Sequence, residues 1–352
     1  MGAVYKKPEI MNKKLFLVHS LLCLSLSFLL AGCIEEKPII MTVTGPVDAS
    51  QMGTCLTHEH VLVDFIGADK VDPNRYDCND VVEKVLPFLM EIKGYGVKTF
   101  VDCTPAYLGR DPILLRMLSE KNGLQIVTNT GYYGAGNNKF VPRYVFEETA
   151  EQLFERWIKE WRDGIGKTGI RPGFIKISVD PDDKLSEMHR KIVTAAAMTH
   201  LQSGLTIASH TGSAGAAFEQ IELLEQNGVS AEAFIWVHAQ NGDSSSHVAA
   251  AKKGAWISFD YITTQADDVE ENVKRIMNLK NERLFERVLI SHDAGWYNVG
   301  EINGGKIRPY TAVFTDLIPA LKKHGFTDQQ INQLLVVNPG NAFSIRVRGV
   351  KK

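Results

Sequence analysis

The segment Leu56-Thr57-His58-Glu59-His60-Val61-Leu62-Val63 holds residue types that can do metal chemistry. It is mostly apolar and partly β-branched, which predicts a strand, and residues i and i+2 of a strand share a face. His58 and His60 are therefore expected side by side. Glu59 should turn the other way, into the layer between strand and helices, and it is assigned no chemistry. Two imidazoles on one rigid edge supply half of a divalent-metal site. Ordinary strands also carry this spacing, so the other half has to come from elsewhere in the chain.

Four later β-rich runs end on suitable groups: Phe174-Ile175-Lys176-Ile177-Ser178, Ser209-His210, Val237-His238 and Ser291-His292-Asp293. Lys176 interrupts an apolar run, where a lone buried ammonium is costly. It needs a neutral form, a counter-charge or a chemical modification. His292 neighbours Asp293 and so faces away from it, which makes it structural. His189, His200, His247 and His324 fall in helical stretches and are expected at the surface.

The elements that must position these groups alternate. Strands are expected at 56–63, 97–103, 124–130, 173–178, 205–210, 234–239, 256–260 and 287–293, and helices at 80–95, 143–163, 186–203, 215–227, 243–253, 267–278 and 310–324. Eight strands in this alternation predict an α/β fold of the (β/α)8 TIM-barrel type, formed as a single domain over residues 45–348. A doubly wound sheet is the alternative, but no Gly-x-Gly-x-x-Gly follows an early strand. In a barrel the active groups collect at the C-terminal strand ends, so the long loops at 131–142 and 294–309 should form the rim.

The chain of 352 residues carries a net charge of −2 and is 44% hydrophobic, which suits a soluble enzyme and gives no basic surplus for nucleic acid. Its first residues are different. Met11-Asn12-Lys13-Lys14 and the apolar run to Leu30 read as a signal peptide over 1–32, and Leu30-Ala31-Gly32-Cys33 resembles the lipobox of bacterial lipoproteins. An ordinary cleaved signal peptide is the alternative. Met1 to Ile10 look like an upstream extension, which makes Met11 the alternative start. The lipobox implies an exported protein, lipid-anchored to the envelope through Cys33, touching membrane by that anchor only, with 33–44 as a linker. Cys55, Cys78 and Cys103 show no CxxC spacing and are expected as buried free thiols near strands.

The order of His-x-His on strand one, Lys176 on strand four, His210 and His238 on strands five and six and Asp293 on strand eight resembles the phosphotriesterase family of the amidohydrolase superfamily. Further echoes are Asp102-Cys103-Thr104-Pro105, Leu108-Gly109-Arg110-Asp111, Thr130-Gly131-Tyr132-Tyr133, Phe259-Asp260 and Asn338-Pro339-Gly340-Asn341-Ala342-Phe343. The resemblance implies two divalent ions, usually zinc, bridged by a Lys176 that carbon dioxide has carbamylated. It implies His58, His60 and Asp293 on the more buried ion, His210 and His238 on the more exposed one, and a metal-bridging hydroxide as nucleophile. Asp293 would be the general base and Asp260 a relay or orienting group; Asp260 as a capping or salt-bridging acid is the plainer reading. A homodimer is also implied.

Substrate has to be read from loops. Phe65, Tyr132, Tyr133, Tyr261, Trp296 and Tyr297 are candidates for an aromatic mouth suited to a neutral small-molecule ester or lactone. By the resemblance, Tyr133 matches a tyrosine that lactonases of the family carry near the hydroxide, and organophosphate triesters are an alternative substrate. Tyr261 stands where family lactonases commonly have arginine and phosphotriesterases histidine. Three other readings compete: a mononuclear deaminase, which Ile207-Ala208-Ser209-His210-Thr211-Gly212 disfavours because it holds no Glu; a Schiff-base aldolase using Lys176; and a lipid-anchored binding protein without turnover.

Overall fold

A computed structural model describes residues 1–4 and 37–350. Residues 5–36, which include Cys33 and most of the expected signal segment, lie outside them. Ile39–Thr42 (β1) falls inside the expected linker yet forms a strand, paired antiparallel with Gly45–Asp48 (β2). The reason is burial: Ile40 joins Met52, Cys55, Phe174 and Phe343 in an apolar cluster at the strand N-termini.

From there the chain lays down parallel strands in cyclic order. Thr54–Val63 (β3), Val97–Asp102 (β4) and Gln125–Val127 (β5) are hydrogen-bonded neighbours, and Asn129–Thr130 (β6) resumes after Thr128 to pair with Phe174–Ser178 (β7). Ile207–His210 (β8), Phe234–Val237 (β9), Trp256–Phe259 (β10) and Val288–Ile290 (β11) follow in turn. The Asp293 amide donates to the His58 carbonyl at 3.0 Å and closes the ring. This is an α/β barrel of the TIM type.

The expected strand at 287–293 is broken. β11 stops at Ile290, and a second piece, Gly295–Asn298 (β12), continues beside β3 with Gly295 opposite His60. Gly295 takes φ +95°, and a Cβ there would collide with the His60 carbonyl and the Tyr310 ring. Residues 291–294 form the step between the two pieces, and Asp293 itself takes a left-handed φ of 51°.

The helices sit where expected with shifted ends. The predicted helix 143–163 is two, Tyr144–Glu147 and Ala150–Asp163, because Thr149 starts a new one with a capping box to Gln152. Leu153, Trp157 and Ile158 bury one face of it, and Gly164 ends it. Replacing Trp157 by Ala would cost about 3–5 kcal/mol through the void it leaves. Pro112–Asn122, capped by Asp111 and ended by left-handed Gly123, is a helix the hydrophobic period did not single out. Among the described residues no helix is long and apolar enough to cross a membrane. Cys55 and Cys103 are buried free thiols, while Cys78 is half-buried.

Candidate metal centre

Period-two alternation on β3 does what it must: His58 and His60 point to one face with ring centroids 5.3 Å apart. Both are buried, at 2% and 7% exposure. Asp293, carried across from the broken eighth strand, brings one carboxylate oxygen to 3.0 Å from His60 Nε2 and 3.5 Å from His58 Nε2. His58 also faces His238 at 5.1 Å, and His238 packs edge-on to His210 at 4.3 Å between ring centroids. Lys176 ends among them, buried, with an Nζ that has no hydrogen-bond partner among the described residues. All six positions expected from the sequence therefore line one cavity of about 80 Å³.

The far nitrogens of the imidazoles are occupied. Asp260, fully buried on the end of β10, accepts from His58 Nδ1 at 3.0 Å and from His238 Nδ1 at 2.6 Å. It also accepts from the Ser258 hydroxyl at 2.9 Å. His60 Nδ1 lies 2.7 Å from the Thr104 hydroxyl. With Nδ1 donating to Asp260, the Nε2 lone pair of His58 faces inward, which is how ligating histidines are oriented. His210 Nδ1 lies 3.1 Å from the Tyr133 hydroxyl. Gly131 makes this approach possible, since at φ +114° a Cβ would strike the Lys176 backbone.

Electrostatics agree with a cation-seeking site. Burial, opposed by Asp260 and reinforced by Lys176, brings the His58 pKa down to about 4. Burial also pushes His210 well below the usual range, helped by His238 and Lys176. Both rings are thus neutral and able to ligate. For His238, burial pulls the other way from Asp260, and Asp260 prevails, raising it. Burial should raise Asp293, but the hydrogen bond from His60 and the charges of His58, His60 and His238 outweigh it and hold it at about 2. Asp260 is held far below the usual carboxylate range, with burial overcome by His238 and His58. Burial lowers Lys176.

Two groups of ligand atoms lie within 4.8 Å of one another: His58, His60 and Asp293, and His58, His238 and Asp260. They suit a binuclear centre, and beside them the buried Lys176 amine has no hydrogen-bond partner among the described residues.

The rim differs from the expected aromatic mouth. Phe65, Tyr133 and Trp296 line the cavity together with Val63 and Leu108. Tyr132 turns the other way, packs edge-on to Trp157 at 5.3 Å and shares its hydroxyl with Tyr144. Tyr297 is buried against Gly304. Tyr261 is half exposed, with the Arg308 guanidinium 4.8 Å from its ring centre. A larger hollow of about 510 Å³ opens between Tyr76, Tyr107, Arg110 and Tyr132 and contains none of the six ligand positions.

Three expectations about histidines and one about Glu59 change. His189, His200 and His247 are buried, not superficial, because each bonds a backbone group outside its own helix: Gly134, Leu205 and Arg348, and Ala239 respectively. His324 alone of that group is exposed. His292 is buried and structural as expected, its Nε2 accepting the Val313 amide at 2.9 Å. Glu59 faces away from the cavity but is not idle, since its carboxylate holds residues 291, 292 and 294. Thr104, Val63, Leu108 and Arg308 received no role from sequence; Thr104 sits in the quoted Asp102-Cys103-Thr104-Pro105 run, and nothing local links it to His60.

The family model that matches is that of the phosphotriesterase family, over residues 38–343. Among curated proteins, the phosphotriesterase homology protein of Escherichia coli K12 is 26% identical, over 83% of this chain and 98% of its own. The N-acetyltaurine hydrolase of Rattus norvegicus is 26% identical, over 85% and 96%. The aryldialkylphosphatase of Saccharolobus solfataricus is 25% identical, over 85% and 97%. A solved structure of a triply substituted organophosphorus hydrolase from Deinococcus radiodurans superposes with a TM-score of 0.78 at 28% identity, covering 88% of this chain and 98% of that one.

Proposed function

This chain belongs to the phosphotriesterase family, and from that premise we propose that it is a binuclear-metal hydrolase that opens lactones or cleaves other carboxylic esters. The observation that carries the reading is the convergence of the His58 and His60 Nε2 atoms on Asp293, with the buried Lys176 amine, which has no hydrogen-bond partner among the described residues, beside His210 and His238. His58, His60 and Asp293 would hold one ion, His210 and His238 the other, and Lys176, carbamylated, would bridge them; zinc fits a set of imidazole and carboxylate donors. When bound, such ions supply an activated water and an electrophilic hold on the substrate's carbonyl or phosphoryl oxygen.

The chain's own residues do the rest. Asp293 is held ionised and is the acceptor for the proton that the water loses. Asp260 fixes His58 and His238 in one tautomer, and the Thr104 hydroxyl holds the His60 ring in place at Nδ1. The Tyr133 phenol, which burial keeps protonated, can donate toward the oxygen of a substrate at the cavity mouth. A cavity of about 80 Å³ takes the reacting group, with the remainder of the substrate against Phe65, Leu108 and Trp296. This apolar rim favours neutral esters and lactones over polyanions. Phosphotriesters are a side activity in this reading, because the same electrophilic hold serves both oxygens.

The discriminating experiment is hydrolysis of a lactone series against a phosphotriester by the metal-loaded protein starting after Cys33. Lactone or ester turnover is expected. Metal uptake without hydrolysis of any substrate would instead favour a binding protein. The N-terminal pattern supports export and lipid anchoring through Cys33, and C33S should release the protein from membranes.

A further inference from the structure

The break in the eighth strand leaves a row of backbone groups without ladder partners, and the side chains that take them up come from two directions. Glu59 Oε1 accepts from the Ser291 hydroxyl at 2.8 Å and the His292 amide at 3.0 Å, and it also accepts from His292 Nδ1. Its Oε2 accepts from the Ala294 amide at 2.9 Å. On the carbonyl side, Arg308 Nη2 donates to His292 O at 3.1 Å and Nη1 donates to Asp293 O at 2.9 Å. His292 accepts the Val313 amide on Nε2, so its proton is on Nδ1 and the ring is neutral. Among the described residues the buried Glu59 carboxylate thus has no cationic partner, and four donors from residues 291, 292 and 294 stabilise its charge.

We propose that Glu59 and Arg308 are positioning residues forming a two-sided bracket, the carboxylate holding the N–H groups of His292 and Ala294 and the guanidinium the C=O groups of His292 and Asp293, which holds Asp293 in its left-handed conformation and aims its carboxylate at His58 and His60. The functional half of this inference rests on the metal-hydrolase reading above. Strand alternation explains the division of labour: His58 and His60 face the cavity, and the residue between them reaches the turn that completes their site. Both oxygens of Glu59 are used as acceptors, so a glutamine of the same size would set a donor against the Ala294 amide or against its neighbours on Oε1. Arg308 needs its planar fork to span two successive carbonyls, which a lysine cannot reproduce.

The test uses Glu59→Gln, Arg308→Met and Arg308→Lys. In metal-free protein, amide exchange over residues 288–298 should speed up at least tenfold in Glu59→Gln and Arg308→Met, with exchange in the β7 to β9 strands unchanged. In zinc titrations against a competing chelator, affinity at one of two sites should fall by about 10–100-fold, as when a ligand's supporting group is lost. Arg308→Lys should fall between Arg308→Met and wild type. With substrate, kcat should drop and KM should hold. If exchange over the turn and chelator-competed affinity both match wild type, the bracket is refuted. Should Glu59→Gln fail to fold, the half-exposed Arg308 pair carries the comparison. Wild-type protein that takes up no divalent metal would sink the hydrolase reading, and exchange over the turn would then decide the bracket by itself.

Discussion

Lys176→Met separates stability from function most sharply. Methionine nearly matches lysine in length and volume, so repacking costs less than about 1.5 kcal/mol. Against that, the substitution removes a buried amine that has no hydrogen-bond partner among the described residues, a group whose desolvation costs about 1–3 kcal/mol when neutral and more when charged. In the presence of a strong chelator, Lys176→Met should therefore be the more stable protein, by up to about 3 kcal/mol once the repacking cost is set against the gain. At about 2.1 cal/mol/K of unfolding entropy per residue over a body of roughly 300 residues, that is a rise in Tm of up to about 5 °C. With zinc the order should invert. Wild type gains RT ln(1 + [L]/Kd), about 2.7 kcal/mol at a hundredfold excess over Kd, whereas the variant, lacking the bridge, gains little. Urea or thermal unfolding of both proteins, each with chelator and with zinc, gives four curves that should cross. A variant that is less stable in chelator, or that zinc stabilises as much as it does wild type, would refute the argument that Lys176 is a strained resident kept for a bridging role.

Other outcomes follow from the same geometry. Lys176→Ala should lose metal and hydrolysis together, and short carboxylic acids should restore part of both by entering the space left beside His210; metal analysis with and without propionate checks this. Asp260→Asn keeps size but cannot accept from both His58 and His238, which it now does at 3.0 and 2.6 Å, and should weaken metal binding about 10–100-fold in chelator competition. Burial brings the His200 pKa down to about 4, below the value near 6.5 of an unfolded chain, so the unfolded state binds the extra proton between those limits. Stability from this group is full above pH 6.5 and is lost as pH falls toward 4, by up to about 3 kcal/mol. Unfolding of wild type and His200→Gln across pH 4–7 should show a shallower slope for the variant; parallel slopes would exclude His200 as the cause.

Much of the site was legible because it rests on local rules. A strand's alternation pairs His58 with His60, a lysine in an apolar run stands out as anomalous, and the barrel's habit of gathering strand ends links Lys176, His210, His238 and Asp293 in order. The aromatic rim was half legible. Tyr132 and Tyr133 are neighbours on one loop, and composition cannot say which faces the cavity; the turn at Gly131 and the Trp157 surface do. Helical period likewise failed for His189, His200 and His247, since polar residues on a helix are buried only where backbone groups wait for them, as the carbonyl of Leu205 just past the helix and the amide of the distant Arg348 do for His200.

What the sequence by itself determined is the set of candidate residues, the faces they occupy and the alternation of elements that carries them. What only the tertiary structure decided is how they are held: Asp260 between His58 and His238, Thr104 behind His60, the eighth strand broken so that Asp293 turns inward, and Glu59 and Arg308 on either side of that break. The physical reason is range. Periodicity and propensity act over a few residues, whereas a hydrogen bond from His58 to Asp260 or from Ala294 to Glu59 joins groups 202 and 235 positions apart and exists only once the barrel has closed.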